Sequence, residues 1–424
     1  MTSRTTGRRK AWGKGRRSRR ATLVLALSVT GLTSLPGAAF GVAGDFAHAP
    51  TSPEGAGAAP FHVAAGQLNG DANTDLVTAS FGFTDVYVHL SNGGLGDFSP
   101  ALLETVGDNP SAVAIANFAG DANNDIAVAN SVGDEVNILV GDGMGGFTAV
   151  PTTTPVGNEP LNIIAANFDG DADMDLAVTH PLIDVVTILL GDGTGAFIAS
   201  TEAAVDNPRA VTAANFNGGA LDLAVATRES DDVQILIGDG TGNFTPKMTT
   251  SPEAAGDGPT SVEPANFDGD ADVDLAVTNE NLGAVTILLN DGTGDFTEKA
   301  TTSPETVGAA PRKVVAANFG GDANIDLATA NTGSDDVSIL LGDGTGNFTA
   351  APTSPEGSGN APWWLVAANL NGDSLPDLAV VNELANTVSI LLNDATAAPP
   401  TGGGGGPATP VTPAKKCKKK KKKK

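Results

Sequence analysis

Asn167–Val178 reads "NFDGDADMDLAV", with Asp169, Asp171, Asp173 and Asp175 set between an apolar run ending at Phe168 and another beginning at Leu176. Four carboxylates in seven residues repel one another unless a counter-ion is supplied. The loop is therefore either a solvated turn capped by Asp and Asn or the shell of a bound cation.

The stretch is not alone. It recurs as "QLNGDANTDLVT" from Gln67, "NFAGDANNDIAV" from Asn117, "NFNGGALDLAV" from Asn215, "NFDGDADVDLAV" from Asn266, "NFGGDANIDLAT" from Asn318 and "NLNGDSLPDLAV" from Asn369. The start-to-start spacings are 50, 50, 48, 51, 52 and 51 residues. Seven copies at this period predict an all-β fold, a seven-bladed β-propeller of four-stranded blades. Repeat 3 shows the parse: "NIIAANF", the acidic loop, "DLAVTH", "DVVTILL", the turn "GDGTG", and "AFIAS". The strands are rich in Val, Ile and Leu, as blade strands buried on both faces are, and glycine supplies the positive φ of the turn. Helical periodicity is absent. A calcium-binding nonapeptide solenoid is excluded because its turns would return every nine residues or so, not once per repeat.

The ends of the array predict how the ring closes. The last repeat stops at "TVSILLND" (Thr387–Asp394) and lacks an outer strand, whereas "GDFAHAPTSPEG" (Gly44–Gly55) supplies one ahead of the first acidic loop. The strand around Phe46 is expected to pair antiparallel with Val388–Leu392, leaving no open edge.

Charge is segregated along the chain. All 49 acids lie in Asp45–Asp394 with only six basic residues, a net of −43. That excludes nucleic acid, whose phosphates demand the opposite sign. Residues 1–44 read as an export signal: "RRSRR", an apolar run, then small residues suiting cleavage between Ala39 and Gly44. "SRRATLV" also resembles a twin-arginine signal. Residues 395–424 read as a Pro/Gly tether and a polylysine tail, suited either to an anionic surface or to solvent. The single cysteine, Cys417, lies in that tail, so the propeller has no intramolecular disulfide and needs another staple.

With both motifs recurring at the right separation over Asp45–Asp394, the chain resembles the FG-GAP-like repeats of the VCBS type, with the integrin α-subunit propeller a more distant relative. The resemblance implies a seven-bladed propeller with calcium in the loop between the first two strands of most blades. The loop chemistry agrees, because calcium takes six to eight hard oxygens and loop positions 1, 3, 5 and 9, with a position-7 carbonyl, supply them. The candidate ligands are Gln67, Asn69, Asp71, Asn73 and Asp75 in repeat 1, and Asn167, Asp169, Asp171, Asp173 and Asp175 in repeat 3. Repeat 5 offers Asn266, Asp268, Asp270, Asp272 and Asp274, and repeat 7 offers Asn369, Asn371, Asp373 and Asp377. Repeats 2 and 6 lack a position-3 ligand, leaving Asn117, Asp121, Asn123 and Asp125, and Asn318, Asp322, Asn324 and Asp326. Repeat 4 has Gly219 at the central acid and is one residue short before Asp222, so about six calcium sites are expected, with none there. Asp171→Ala and Asp270→Ala are accordingly expected to cost stability, and Asp222→Ala much less. Position 1 is Asn or Gln where the family usually has Asp, which takes a charge from each site, and position 6 is Ala or Ser where it has Gly, which makes a positive-φ turn more costly.

Signals of catalysis are few. His48, His62, His89 and His180 occupy four different repeat positions and read as structural. No nucleophile elbow or phosphate-cradling lysine loop occurs. A binding face is expected opposite the acidic loops, where each loop entering an innermost strand ends in proline. The residues there are Phe61 and His62, Ser111, Leu161 and Asn162, Arg209, Thr260, Arg312 and Lys313, and Trp363 and Trp364, with Arg228 joining from a second strand. The sequence thus reads as an exported, calcium-binding, non-catalytic module at the cell surface for glycan or protein. The alternative is a propeller hydrolase or lyase acting on extracellular polysaccharide.

Overall fold

The computed structural model describes residues 42–247, 253–299 and 303–394. The leader, the linker and the polylysine tail lie outside the described residues.

Seven antiparallel sheets are present, each formed by one repeat, and the last is completed from the N-terminal side. In blade 3 the strands are Asn162–Ala166, Asp175–His180, Val185–Gly191 and Phe197–Ala204. The parse differs from the expected one at the first strand, which stops two residues earlier. Asn167 and Phe168 already belong to the acidic loop. All seven second strands are buried along their whole length, as strands covered on both faces must be.

The ring closes as the termini predict. Phe46, Ala47 and His48 pair with Asn393, Leu392 and Leu391. Glu54 and Gly55 then pair with Val388 and Thr387, so the closing strand comes in two pieces. The interruption has a cause written in "TSPE". Ser52 Oγ accepts the Ile390 N–H at 2.9 Å in place of a ladder carbonyl, and Ser303 and Ser354 do the same for Ile287 and Ile339. Gly44 already belongs to the fold, because its carbonyl accepts from Thr353 Oγ1 at 3.3 Å.

The hydrophobic core is not central. It lies in seven clusters, each filling a seam between neighbouring blades. The phenylalanines of both repeated motifs meet there. Phe118, Phe168, Phe216 and Phe267 of one blade stand edge-on to Phe197, Phe244, Phe296 and Phe348 of the next, with centroids 5.5–5.7 Å apart. Each such pair contributes about 0.5–1.5 kcal/mol beyond the area it buries. The seam is also hydrogen-bonded: the Phe118 and Phe168 carbonyls accept the N–H of Gly195 and Gly242 from the next blade's turn.

Candidate functional site

The two faces of the disc are built differently. On one face, the acidic loops sit at the mouths of the second strands. Their last aspartate is a buried clamp in every blade. Asp175 is fully buried, and its two oxygens accept the N–H of Phe168 at 2.6 Å and of Gly191 at 2.9 Å, tying loop to third strand. Asp75, Asp125, Asp274 and Asp377 are held in the same way by Leu68 and Ser91, Phe118 and Gly141, Phe267 and Asn290, and Leu370 and Asn393. Asp326 is held by Gly320 and Gly342. Burial pushes Asp274, Asp326 and Asp377 up to about 6 despite these bonds.

The position-1 amide clasps the loop. Gln67 Nε2 donates to the Asp71 carbonyl at 2.6 Å, and Asn117, Asn167, Asn266, Asn318 and Asn369 make the corresponding bond. Inside the loop, Asp171 Oδ1 accepts from the Asp173 N–H at 2.7 Å and Asp169 Oδ1 from the Asp171 N–H at 3.1 Å. Asn69 and Asn371 serve Asp71 and Asp373 in the same role. Position 7 does more than offer a carbonyl. A Cβ on Gly193 would stand 2.4 Å from Asp173 Oδ1, and Gly143, Gly292 and Gly344 are equally filled by Asn123, Asp272 and Asn324. The glycine of the "GDG" turn, at φ +69° in Gly193, is therefore required by contact as well as by conformation.

These loops suit a hard cation by donor chemistry. Asp169, Asp171 and Asp173 crowd beside Asp175, and Asp268, Asp270 and Asp272 beside Asp274, and no described salt bridge reaches any of them. Among the described residues no three His, Cys, Asp or Glu side chains converge as a ready metal cluster, so amide and carbonyl oxygens would complete any shell. Blade 4 fits less well. Asn215 Nδ2 donates to the Gly219 carbonyl at 2.6 Å where an aspartate would stand. Asp222 is nonetheless a full clamp, taking the N–H of Phe216 at 3.1 Å and of Gly238 at 3.0 Å and Asn217 Nδ2 at 3.3 Å. Asp222 therefore has structural work of its own, whatever ion the loop holds.

The other face carries the channel mouth. In each blade the residue before the first-strand proline is left-handed: Ala59, Asn109, Glu159, Asn207, Gly258, Ala310 and Ala361, at φ between 40° and 72°. For the six non-glycines this costs on the order of 1 kcal/mol each. An aspartate or asparagine of the preceding blade stabilises it in several seams, as Asp335 Oδ1 does by accepting the Ala361 N–H at 2.8 Å. Directly after the proline the register slips by one residue in six blades, at Phe61, Ser111, Arg209, Thr260, Arg312 and Trp363. A bulge re-aims the extra side chain, and all six line one hollow of about 60 Å³ with Leu161, Asn162, His62, Trp364 and Arg228.

The mouth is layered. Phe81 stacks on Phe61 at 5.0 Å, Phe61 meets Trp363 at 4.6 Å, and the Arg312 guanidinium lies 4.3 Å over the Trp363 ring. Arg312 and Arg228 both grip Glu280 at 2.6 Å. Burial and the nearby Arg228 charge hold Arg209 below the usual guanidinium range, and burial does the same to Arg312. Beneath lies a second layer. His62 packs on Trp364 at 4.3 Å, and Lys313 sits 5.2 Å over that ring while pairing with Glu263 at 2.7 Å. Lys313 therefore belongs to the channel of about 300 Å³ below, Trp364 lines both that channel and the mouth, and the expectation that Lys313 shares the mouth is corrected. Ser111 and Thr260 are spent on the Pro160 and Pro311 carbonyls.

Glu280 and Phe81 were missed in the sequence, yet both stand at the repeat position of Arg228, directly after the second strand. The histidines are placed as structural or exposed. Burial, then Lys313, lowers His62 to about 3; burial lowers His89 and His180 to about 4, and His48 is exposed.

Seven four-stranded blades, ring closure by both termini and an acidic loop in each blade define a seven-bladed β-propeller. Residues 219–277, 266–329 and 319–380 match the FG-GAP-like repeat in three consecutive, overlapping units. Over these residues the chain carries FG-GAP-like repeats, set in a seven-bladed propeller. No curated protein sequence matches it. Among solved structures, the chain is similar to Kuenenia stuttgartiensis hydrazine synthase, with 13% identity and a TM-score of 0.53 over 80% of this chain and 97% of that one. A protein from Lactobacillus plantarum gives 15% and 0.52, covering 71% and 86%. A catalytically inactive virginiamycin B lyase from Staphylococcus aureus with quinupristin gives 12% and 0.50, covering 82% and 98%. At these identities the likeness is one of fold. Among the described residues no helix is long and apolar enough to cross a membrane.

Proposed function

We propose that this propeller is an exported, calcium-stapled, non-catalytic binding module that takes a glycan or an extracellular protein at its channel mouth. The observation that carries the reading is the delivery of Phe61, Arg209, Arg312 and Trp363 into one hollow by bulges at the same register position of four blades. Left-handed residues stand at every blade entrance, strained in the six that are not glycine, and such strain clusters where function needs it. Clustered Trp and Arg are the side chains that most often anchor a partner.

Support for a binding rather than a catalytic role comes from the titratable groups. Glu280 is occupied by two guanidiniums and Glu263 by Lys313, and His62 is held neutral under Trp364. Asp169, Asp171, Asp173 and Asp175 of blade 3, and Asp268, Asp270, Asp272 and Asp274 of blade 5, would hold calcium most strongly, and the ion would neutralise the carboxylates that crowd each loop. A screen of immobilised glycans and extracellular proteins with the full chain, repeated with Trp363→Ala, tests the reading. Loss of the hits in the variant supports it; hits that persist unchanged place the binding surface elsewhere.

A further inference from the structure

Three guanidiniums surround the mouth, and one carboxylate at contact distance serves them. Glu280 takes Arg228 and Arg312, each at 2.6 Å. Arg209 makes no ion pair among the described residues, and its buried Nε has no hydrogen-bond partner. Arg228 repels it, while Glu159, Glu229 and Glu280 act on it only through space. A half-buried guanidinium in this state costs stability, and in a segment of net −43 the cheaper solution would have been one more acid. The geometry instead leaves a place for an anion brought from outside.

Resting on the binding role given above, we propose that Arg209, with Arg228 beside it, takes the carboxylate of an acidic sugar whose ring lies against the Phe61–Trp363 wall. The size of the hollow argues for this division. About 60 Å³ is well under the roughly 150 Å³ of a cavity that takes one benzene ring. That admits a carboxylate but not a sugar ring, which must stay at the rim. At the rim the stack ends in Phe81, which is 38% exposed, so apolar ring surface is left open where the sugar ring would lie. The planar guanidinium fork matches a carboxylate with two parallel bonds. A rigid ring also loses less conformational freedom on the wall than the flexible acidic side chain of a peptide would.

The test titrates the full chain, in calcium, with oligomers of galacturonate, of mannuronate and of hyaluronan. Each is paired with its carboxyl-reduced neutral form, and polyglutamate is a further arm. Binding is read by calorimetry and by tryptophan fluorescence. At least one acidic oligomer is expected to bind, with its reduced form about tenfold weaker or more, the loss that follows when a charged hydrogen-bond pair is removed. Arg209→Gln should weaken the acidic oligomer to the level of the reduced one, with Arg209→Lys between, and neither variant should melt below the wild type. Equal binding of acidic and reduced oligomers, lost in Trp363→Ala, would overturn the anion site while leaving the mouth as the binding surface. Acidic binding that survives both Arg209→Gln and Trp363→Ala would overturn the mouth itself. Polyglutamate binding tighter than every uronate, or no uronate bound at all, would overturn the sugar assignment.

Discussion

Phe46 stands edge-on to Phe319, with ring centroids 5.7 Å apart and planes at 66°, although one lies at the start of the propeller and the other in its sixth blade. The pair repeats the contact that Phe197 makes with Phe118 and Phe348 with Phe267. The N-terminal strand therefore does not merely cap an edge. It supplies the side chain that blades 2 to 6 take from their own outer strands.

Phe46→Ala should cost about 3–5 kcal/mol, the usual loss for a buried phenylalanine. A cycle with Phe319→Ala should show a coupling of about 0.5–1.5 kcal/mol in urea melts. Deleting Asp45–Pro53 should leave the Thr387–Asn393 strand as an open edge and drive association, seen as early elution on gel filtration. A monomeric, fully stable deletion would contradict the closure.

Asp222→Ala tests the clamp apart from any ion. The change leaves the Phe216 and Gly238 N–H groups buried without an acceptor. At about 1–3 kcal/mol for each orphaned donor, a loss of several kcal/mol is expected. The loss should be the same in calcium and in chelator. A variant within about 0.5 kcal/mol of wild type would show that Asp222 is only a loop residue.

Much of this molecule is legible in its sequence because each repeat spells the same contacts. "NF" and the Phe after "GDGTG" announce a seam, and "TSPE" before the first loop announces the closure. The mouth was legible for a different reason. Proline fixes where each innermost strand starts, so the next residue sits at one height in every blade. What stayed hidden depends on tertiary partners. Arg312 and Lys313 are neighbours, but the one-residue slip at Arg312 sends one to the mouth and the other to the channel. The clamp at Asp222 is hidden because ligand spacing does not show its backbone donors, Phe216 in the same loop and Gly238 on the third strand.

Calcium should raise the melting temperature, and excess chelator should lower it. A ligand at 100 times its Kd adds about 2.7 kcal/mol per site that binds only the native state. Asp171→Ala and Asp270→Ala should narrow the calcium effect and change the chelated protein little. Magnesium should rescue poorly, because it demands a tighter octahedral shell. Scanning calorimetry with one unchanged transition in calcium and in chelator would refute the staple.

His89 and His180 should each weaken the fold in acid, against the opposite contribution of the raised carboxyls of Asp274, Asp326 and Asp377. Burial lowers both histidines to about 4, whereas in the unfolded chain they titrate near 6.5. The unfolded state therefore binds more protons below pH 6.5. The contribution is full above that pH and is lost as pH falls to 4, about 3 kcal/mol for His89. Its Nε2 meets only Thr78 Oγ1, at 3.3 Å. His89→Gln should flatten urea midpoints between pH 6.5 and 4, and an unaltered slope would assign the lability to other groups.

The division of labour between the two faces is the centre of this account, and one comparison tests it most directly. For whichever glycan or protein the full chain captures in calcium, affinity is measured by calorimetry for the wild type, Trp363→Ala and Asp171→Ala. The account predicts that Trp363→Ala abolishes binding without moving the calcium-dependent melting temperature, and that Asp171→Ala lowers that temperature while keeping wild-type affinity below the melt. Full affinity in Trp363→Ala, or affinity lost in a folded Asp171→Ala, would place the partner on the acidic face and contradict it.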